Sequence, residues 1–161
     1  MFACYTGLAY SDLKKLSDDE INIGIDGNKW IYTRRKKTNS AVRIPLLEIP
    51  LEIIQKYKDH PRIKGTNLLL PVFTNQKMNQ YLKEIAKILN FNKKLSSHVA
   101  RHTFATTVTL ANGVPIESVS KLLGHTKLST TQIYARIIDT KLSDDLRKIN
   151  EITKTNNAKT S

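Results

Sequence analysis

The sequence predicts a mainly helical α+β domain that carries one small three-stranded antiparallel sheet. Three observations predict it. Ile21, Ile23 and Ile25 alternate with polar residues and run into Asp26, Gly27 and Asn28, which supply turn chemistry. Residues 30–35, rich in aromatic and β-branched side chains, read as a second strand, and a basic turn over 36–40 leads to a third that starts at Ala41 and ends at Pro45. From residue 47 onward the apolar residues recur at helical spacing instead of alternating. With 161 residues, 40% of them hydrophobic, the chain can bury one core of its own.

The elements follow in order. Residues 1–16 read as a helix interrupted at Thr6 and Gly7. No linker or capping signal precedes it, so the chain is expected to be a fragment whose N-terminal partner has been removed. The hairpin strands come next, with Lys37 at the tip of the second hairpin. Leu47, Leu51, Ile54 and Tyr57 mark a helix over 47–57, and a loop containing Pro61, Gly65 and Pro71 follows. Residues 75–90 set Met78, Leu82, Ile85, Ile88 and Leu89 on one face. Ser96 or Ser97 can cap a helix running to Asn112, where Gly113 stops it. Pro115 suits the first turn of a short helix that Gly124 ends. Ser129, Thr130, Thr131 and Gln132 fit a capping box, which puts Tyr134 early in a further helix. A thin apolar stripe (Leu142, Leu146, Ile149) marks 139–150, and the polar stretch from Glu151 reads as a disordered tail.

Lys and Arg outnumber Asp and Glu by 26 to 14, a formal charge of +12 spread along the chain. That favours a polyanionic partner without naming a function. The single cysteine, Cys4, excludes an internal disulfide and reads as a small buried hydrophobe. No apolar run approaches a membrane span and no signal peptide is visible, so a reducing, cytoplasmic location is expected.

Three places can carry chemistry. His98, Arg101 and His102 share one helical face by their spacing. Arg101 offers a planar fork of donors suited to a phosphate, and His98 can donate a hydrogen bond or move a proton. The bland alternative is a basic surface patch. A metal site at His98 and His102 lacks the Glu of the zinc-peptidase motif, Val99 standing there instead, and Arg101 would repel a cation. No metal and no cofactor are expected. Second, His125 follows Leu122, Leu123 and Gly124 in a loop, and Tyr134 comes nine residues later. A tyrosine acts as a nucleophile when neighbouring cations stabilise the developing charge, although half-buried packing is by far the commoner role of a lone Tyr on a helix, and helix C-capping that of the His. Third, Lys37 is either a solvated charge or, on a rigid hairpin tip, a general acid.

Each signal is weak alone, but together and in this order they resemble the tyrosine recombinase, or phage-type integrase, family over essentially the whole chain. The resemblance implies the fold of the DNA breaking-rejoining enzymes' catalytic domain over residues 1–150, a polar tail over 151–161, and an N-terminal core-binding domain absent from this chain. It implies that Tyr134 attacks a scissile phosphate to give a 3′-phosphotyrosyl link. Arg101, His98 and His125 would stabilise the phosphate charge, and Lys37 would protonate the leaving 5′-hydroxyl. His102 matches a histidine that supports structure. Arg34, Lys36 and Lys127 are expected to contact DNA. Double-stranded DNA is the implied partner, with a homotetramer on two duplexes for the full-length protein, a monomeric isolated domain, and a nucleoid-associated location.

One departure stands out. Where the family has Thr-Gly-Leu-Arg, this chain reads Thr6, Gly7, Leu8, Ala9, while Asp12 keeps the acidic position that accompanies the missing arginine. Either another cation compensates, with Arg35 preferred over Arg34 because strand alternation puts it on the face of Lys37, or the domain is a weakened recombinase. Three rivals remain. A non-catalytic helix-turn-helix-like module over 115–136 would leave the first hundred residues unexplained. A type IB topoisomerase shares the chemistry. A nuclease would need clustered carboxylates to hold metal.

Overall fold

The computed structural model describes residues 1–134 together with Ser143, Leu146 and Arg147. Helix α1 (Phe2–Thr6) stops at Gly7, which takes a left-handed φ of 65°, and α2 (Tyr10–Lys15) starts after Ala9. This is the interruption expected at Thr6 and Gly7. Strands β1 (Ile21–Ile23), β2 (Lys29–Arg34) and β3 (Ala41–Pro45) form one antiparallel sheet in that order. The first strand is shorter than its alternation suggests. Gly24 N–H bonds to the Asn28 carbonyl at 2.8 Å and closes the turn early, leaving Ile25 outside the ladder and exposed. The Asp26 carboxylate secures that turn by accepting from Asn28 N at 3.1 Å and Trp30 Nε1 at 2.8 Å.

Ile31 pairs with Ile44 and Thr33 with Val42, so these side chains share the buried face of the sheet. They pack against Phe2, Leu8, Leu16, Leu46, Leu69 and Leu70 to make the first hydrophobic core. The parity carries past the strand end: Arg35 continues the inward series of Ile31 and Thr33, while Arg34 stays with Tyr32 on the outer side.

Helices α3 (Glu48–Tyr57) and α4 (Asn75–Ile88) follow, α4 being capped by the Thr74 hydroxyl, which accepts from Lys77 N. Ser96 caps α5 (Ser97–Thr103) by accepting from Val99 N at 3.4 Å. The helix expected to run to Asn112 does so only with a change of pitch: it widens to a π segment over Phe104–Thr109 and tightens to a 3-10 turn over Leu110–Asn112 before Gly113. Threonine hydroxyls that bond back to the preceding turn accompany the widening. Thr109 Oγ1 donates to both the Phe104 and Ala105 carbonyls, and Thr106 Oγ1 to that of His102.

Helix α6 (Ile116–Leu123) starts after Pro115 and ends at Gly124. Its Val119 and Leu123 join Phe104, Ala105, Leu110 and Tyr134 in a second core. Beyond it come two 3-10 turns, Leu128–Thr130 and Gln132–Tyr134. The expected capping box is therefore not formed: Ser129 lies inside the first turn, and the Thr131 hydroxyl is engaged by His125. The helix expected to carry Tyr134 near its start is described only as the 3-10 turn Gln132–Tyr134; its continuation, most of the stripe over 139–150 and the tail lie outside the described residues. Among the described residues no helix is long and apolar enough to cross a membrane.

Gly124 joins the two halves of the molecule. Its φ is +64°, and a Cβ there would come within 2.5 Å of Val42 Cγ2 and 3.0 Å of Arg35 Cγ. Gly124→Ala combines a left-handed alanine with overpacking against the sheet, and is expected to cost roughly 2–4 kcal/mol. Urea denaturation should show the midpoint falling with an unchanged slope.

Candidate active site

Two guanidinium groups meet at the C-terminal end of α6. Arg101 on α5 is 6% exposed. Its Nη1 donates to the Gly7 carbonyl, and its Nη2 donates to the Leu123 carbonyl and faces His125 Nε2 at 3.1 Å. Arg35 reaches the same Leu123 carbonyl through Nη1 at 2.6 Å. The last carbonyls of a helix lack intrahelical donors and carry its negative dipole end, so Leu123 O is suited to hold two cations together.

Arg35 is also fixed from the opposite side. Its Nε lies 2.7 Å from Asp12 Oδ2, and Asp12, 1% exposed, accepts from Lys36 N through Oδ1 at 2.8 Å. Ser40 Oγ donates to the Gly124 carbonyl at 2.9 Å. Helix α2, the β2–β3 turn and the end of α6 are thereby tied into one polar knot. Gly7 belongs to the same construction. A Cβ at Gly7 would meet Phe104 Cδ1 at 2.4 Å, so only glycine lets this backbone come close enough for its carbonyl to receive Arg101. Ala9, at the N-cap of α2, brings no charge.

The electrostatics follow from burial and crowding of like charge. Burial and the neighbouring Arg35 lower Arg101 to about 10, which leaves it charged at neutral pH. Burial, then Arg101 and Arg35, lower His125 to about 4, so its ring is neutral. Burial pushes the Tyr134 phenol up, and the charge of Arg101 pulls it back down.

Tyr134 is 4% exposed, with its ring set edge-on to His102 at 4.9 Å; His102 in turn meets the ring of His98 at 4.8 Å. Of the residues singled out from sequence, Arg101, His125 and Arg35 form one hydrogen-bonded and charged cluster, and Tyr134 lies within electrostatic reach of Arg101. His98 is exposed, and among the described residues the His102 ring stands between it and Tyr134. Lys37 is exposed on the hairpin turn, and no described hydrogen bond ties it to the cluster. Arg34 turns outward and donates to the Asn39 carbonyl at 3.1 Å. Lys36 and Lys127 are exposed beside the site. Sequence reasoning missed the Leu123 carbonyl and Thr131, whose buried hydroxyl lies 2.8 Å from His125 Nδ1. A backbone acceptor leaves no trace in sequence, and Thr131 was assigned to a helix cap.

A guanidinium has five donors. Arg101 gives donors to Gly7, Leu123 and His125 and Arg35 gives one to Leu123, so each guanidinium carries more donors than these contacts use, with a phenol and an imidazole alongside. Among the described residues no group of His, Cys, Asp or Glu can hold a metal ion.

The profile of the family described as "Phage integrase family" matches residues 1–141. Over 153 residues the chain is 32% identical to the tyrosine recombinase XerD of Listeria innocua, covering 86% of this chain and 49% of that protein. It therefore spans about half the length of the curated relatives it matches. Its fold is similar to the crystal structure of XerA recombinase, with a TM-score of 0.71 at 26% identity over 90% of this chain and 54% of the other. It also shares the fold of XerH site-specific recombinase bound to palindromic difH substrate, with a TM-score of 0.67 at 18% identity over 89% of this chain and 42% of that one.

Proposed function

Because the chain belongs to the phage integrase family, we propose that residues 1–150 form the catalytic half of a site-specific DNA recombinase. In this reading the Tyr134 phenol gives up its proton to solvent as its oxygen attacks a scissile phosphate, the bond to the 5′-oxygen breaks, and a 3′-phosphotyrosyl link forms. Arg101 and Arg35 bind the non-bridging oxygens, His125 and His98 assist them, and Lys37 hands a proton to the leaving 5′-hydroxyl. The covalent link conserves the phosphodiester, so resealing needs neither metal nor ATP. The observation that carries the reading is the convergence of Arg101 and Arg35 on the Leu123 carbonyl beside His125. It supports a reading in which one buried and one partly buried cation serve a single phosphate although Ala9 offers none.

Tyr134 is buried, so attack requires the Gln132–Tyr134 turn to carry the phenol outward past His102. Double-stranded DNA is the partner this reading gives the exposed Arg34, Lys36 and Lys127. In the full-length protein it gives a core-binding half that clamps the duplex, a tetramer on two duplexes, and a place at the nucleoid in the cytoplasm. The helix-turn-helix module gains no support, since 3-10 turns follow α6 where its second helix would lie.

The test is covalent trapping on nicked duplexes of randomised sequence, which prevent resealing. We expect an adduct that survives denaturant and chelator and whose tryptic fragment carries the nucleotide on Tyr134. DNA binding with no adduct, or an adduct mapped to another residue, would overturn the assignment.

A further inference from the structure

His125 sits between two hydrogen-bonding neighbours that constrain its protons. Nε2 faces Arg101 Nη2 at 3.1 Å, and Nδ1 faces Thr131 Oγ1 at 2.8 Å. A guanidinium has donors only, so Nε2 must present its lone pair to Arg101. The neutral ring then carries its hydrogen on Nδ1 and donates it to the Thr131 hydroxyl.

A bound phosphate reverses the requirement. Its oxygens only accept, so an Nε2 that meets one must carry a hydrogen. Protonating both nitrogens would add a third cation beside Arg101 and Arg35 in a partly buried site. The less costly route is a change of tautomer: Nδ1 gives up its proton, Nε2 takes one from water, and the ring stays neutral. Nδ1 then needs a donor where it had an acceptor. A hydroxyl can serve as either by rotating about its C–O bond; an amide or carbonyl cannot. Thr131 is fully buried, so no bulk water stands in for it, and its backbone is fixed by Thr131 N donating to the Leu128 carbonyl at 2.7 Å.

We propose that Thr131 is a positioning residue that accepts the Nδ1 hydrogen of the tautomer Arg101 selects in the free protein and, by turning its hydroxyl, supports the Nε2–H tautomer when phosphate binds. The step from tautomer to catalysis rests on the recombinase reading; the tautomer itself does not.

The experiment is long-range 1H–15N NMR of the chain labelled at histidine, at pH 7, alone and with inorganic phosphate as the probe, alongside the trapping assay. In the wild type and in Thr131→Ser, Nδ1 should read as the protonated nitrogen alone, and phosphate should move that character to Nε2. In Thr131→Val, which keeps the β-branched shape, Arg101 still selects Nδ1–H in the free protein, but phosphate should no longer move the hydrogen to Nε2. Its adduct should form roughly tenfold to hundredfold more slowly, the range for losing a group that orients a functional histidine, while Thr131→Ser stays close to wild type. A free wild type already carrying its hydrogen on Nε2, or a Thr131→Val variant with the wild-type response to phosphate and the wild-type rate, would overturn the proposal. If phosphate moves the hydrogen and the wild type forms no adduct, the recombinase reading fails and the tautomer assignment stands. If the adduct forms and phosphate leaves the tautomer unchanged, the recombinase reading stands and the proposed switch fails.

Discussion

Tyr134→Phe is expected to abolish the covalent DNA adduct entirely while leaving the fold and DNA affinity nearly as they are. The reason for so clean a separation is the packing of the ring. Tyr134 sits in the second core with Phe104, Ala105, Leu110, Val119 and Leu123, edge-on to His102. Phenylalanine keeps all of that apolar contact and removes one oxygen, a change worth about 1 kcal/mol or less. Tyr134→Ala would instead empty the site and cost roughly 3–5 kcal/mol, so its inactivity would prove little. Thermal melting, a salt-dependent binding titration and the trapping gel should be run together on the phenylalanine variant. Normal melting, unchanged salt dependence and no adduct is the expected pattern. An adduct of normal yield would remove Tyr134 from the reaction and move the search to another nucleophile.

Much of this arrangement was legible before any coordinates, and what was not has definite physical causes. The sheet announces itself because alternation and turn residues are local properties. It was over-extended to Ile25 because an isoleucine pattern says nothing about the Gly24–Asn28 hydrogen bond that closes the turn. The same parity argument chose Arg35 over Arg34, since two-residue periodicity fixes which side chain faces inward. Helix α4 was legible as a helix from its stripe, yet Ile85, Ile88 and Leu89 remain exposed, because amphipathicity predicts a face and not what covers it. The π segment depended on threonine hydroxyls competing for backbone carbonyls, a choice settled by tertiary packing. In the site, the spacing of His98, Arg101 and His125 was visible. The acceptor that brings two arginines together is a main-chain carbonyl, and every residue has one of those.

Arg35→Ala is expected to lose activity and stability together, and the two losses can be separated. The guanidinium pairs with Asp12, whose side chain is completely buried. Removing one partner of a buried pair strands the other charge and costs about 3–5 kcal/mol. Removing one of the cations aimed at a developing oxyanion lowers the rate on the order of a hundred- to thousand-fold. Adding Asp12→Asn to Arg35→Ala removes the stranded carboxylate, so stability should partly return while cleavage does not. Arg35→Lys should retain some stability and little activity, because a single ammonium cannot span Asp12, Leu123 and a phosphate as a planar fork does. Arg34→Ala provides the comparison: its guanidinium donates to its own turn at Asn39 and faces DNA in the proposed reading, so DNA affinity should fall while the single-turnover rate at saturating DNA stays within about threefold of wild type. The decisive arm is Ala9→Arg combined with Arg35→Ala, which moves the cation to the position where the family carries it. Recovery of adduct formation, measured as single-turnover rates beside urea midpoints, would show that the site requires a second guanidinium and tolerates either origin. Equal rates for Arg34→Ala and Arg35→Ala would mean that neither residue compensates for Ala9.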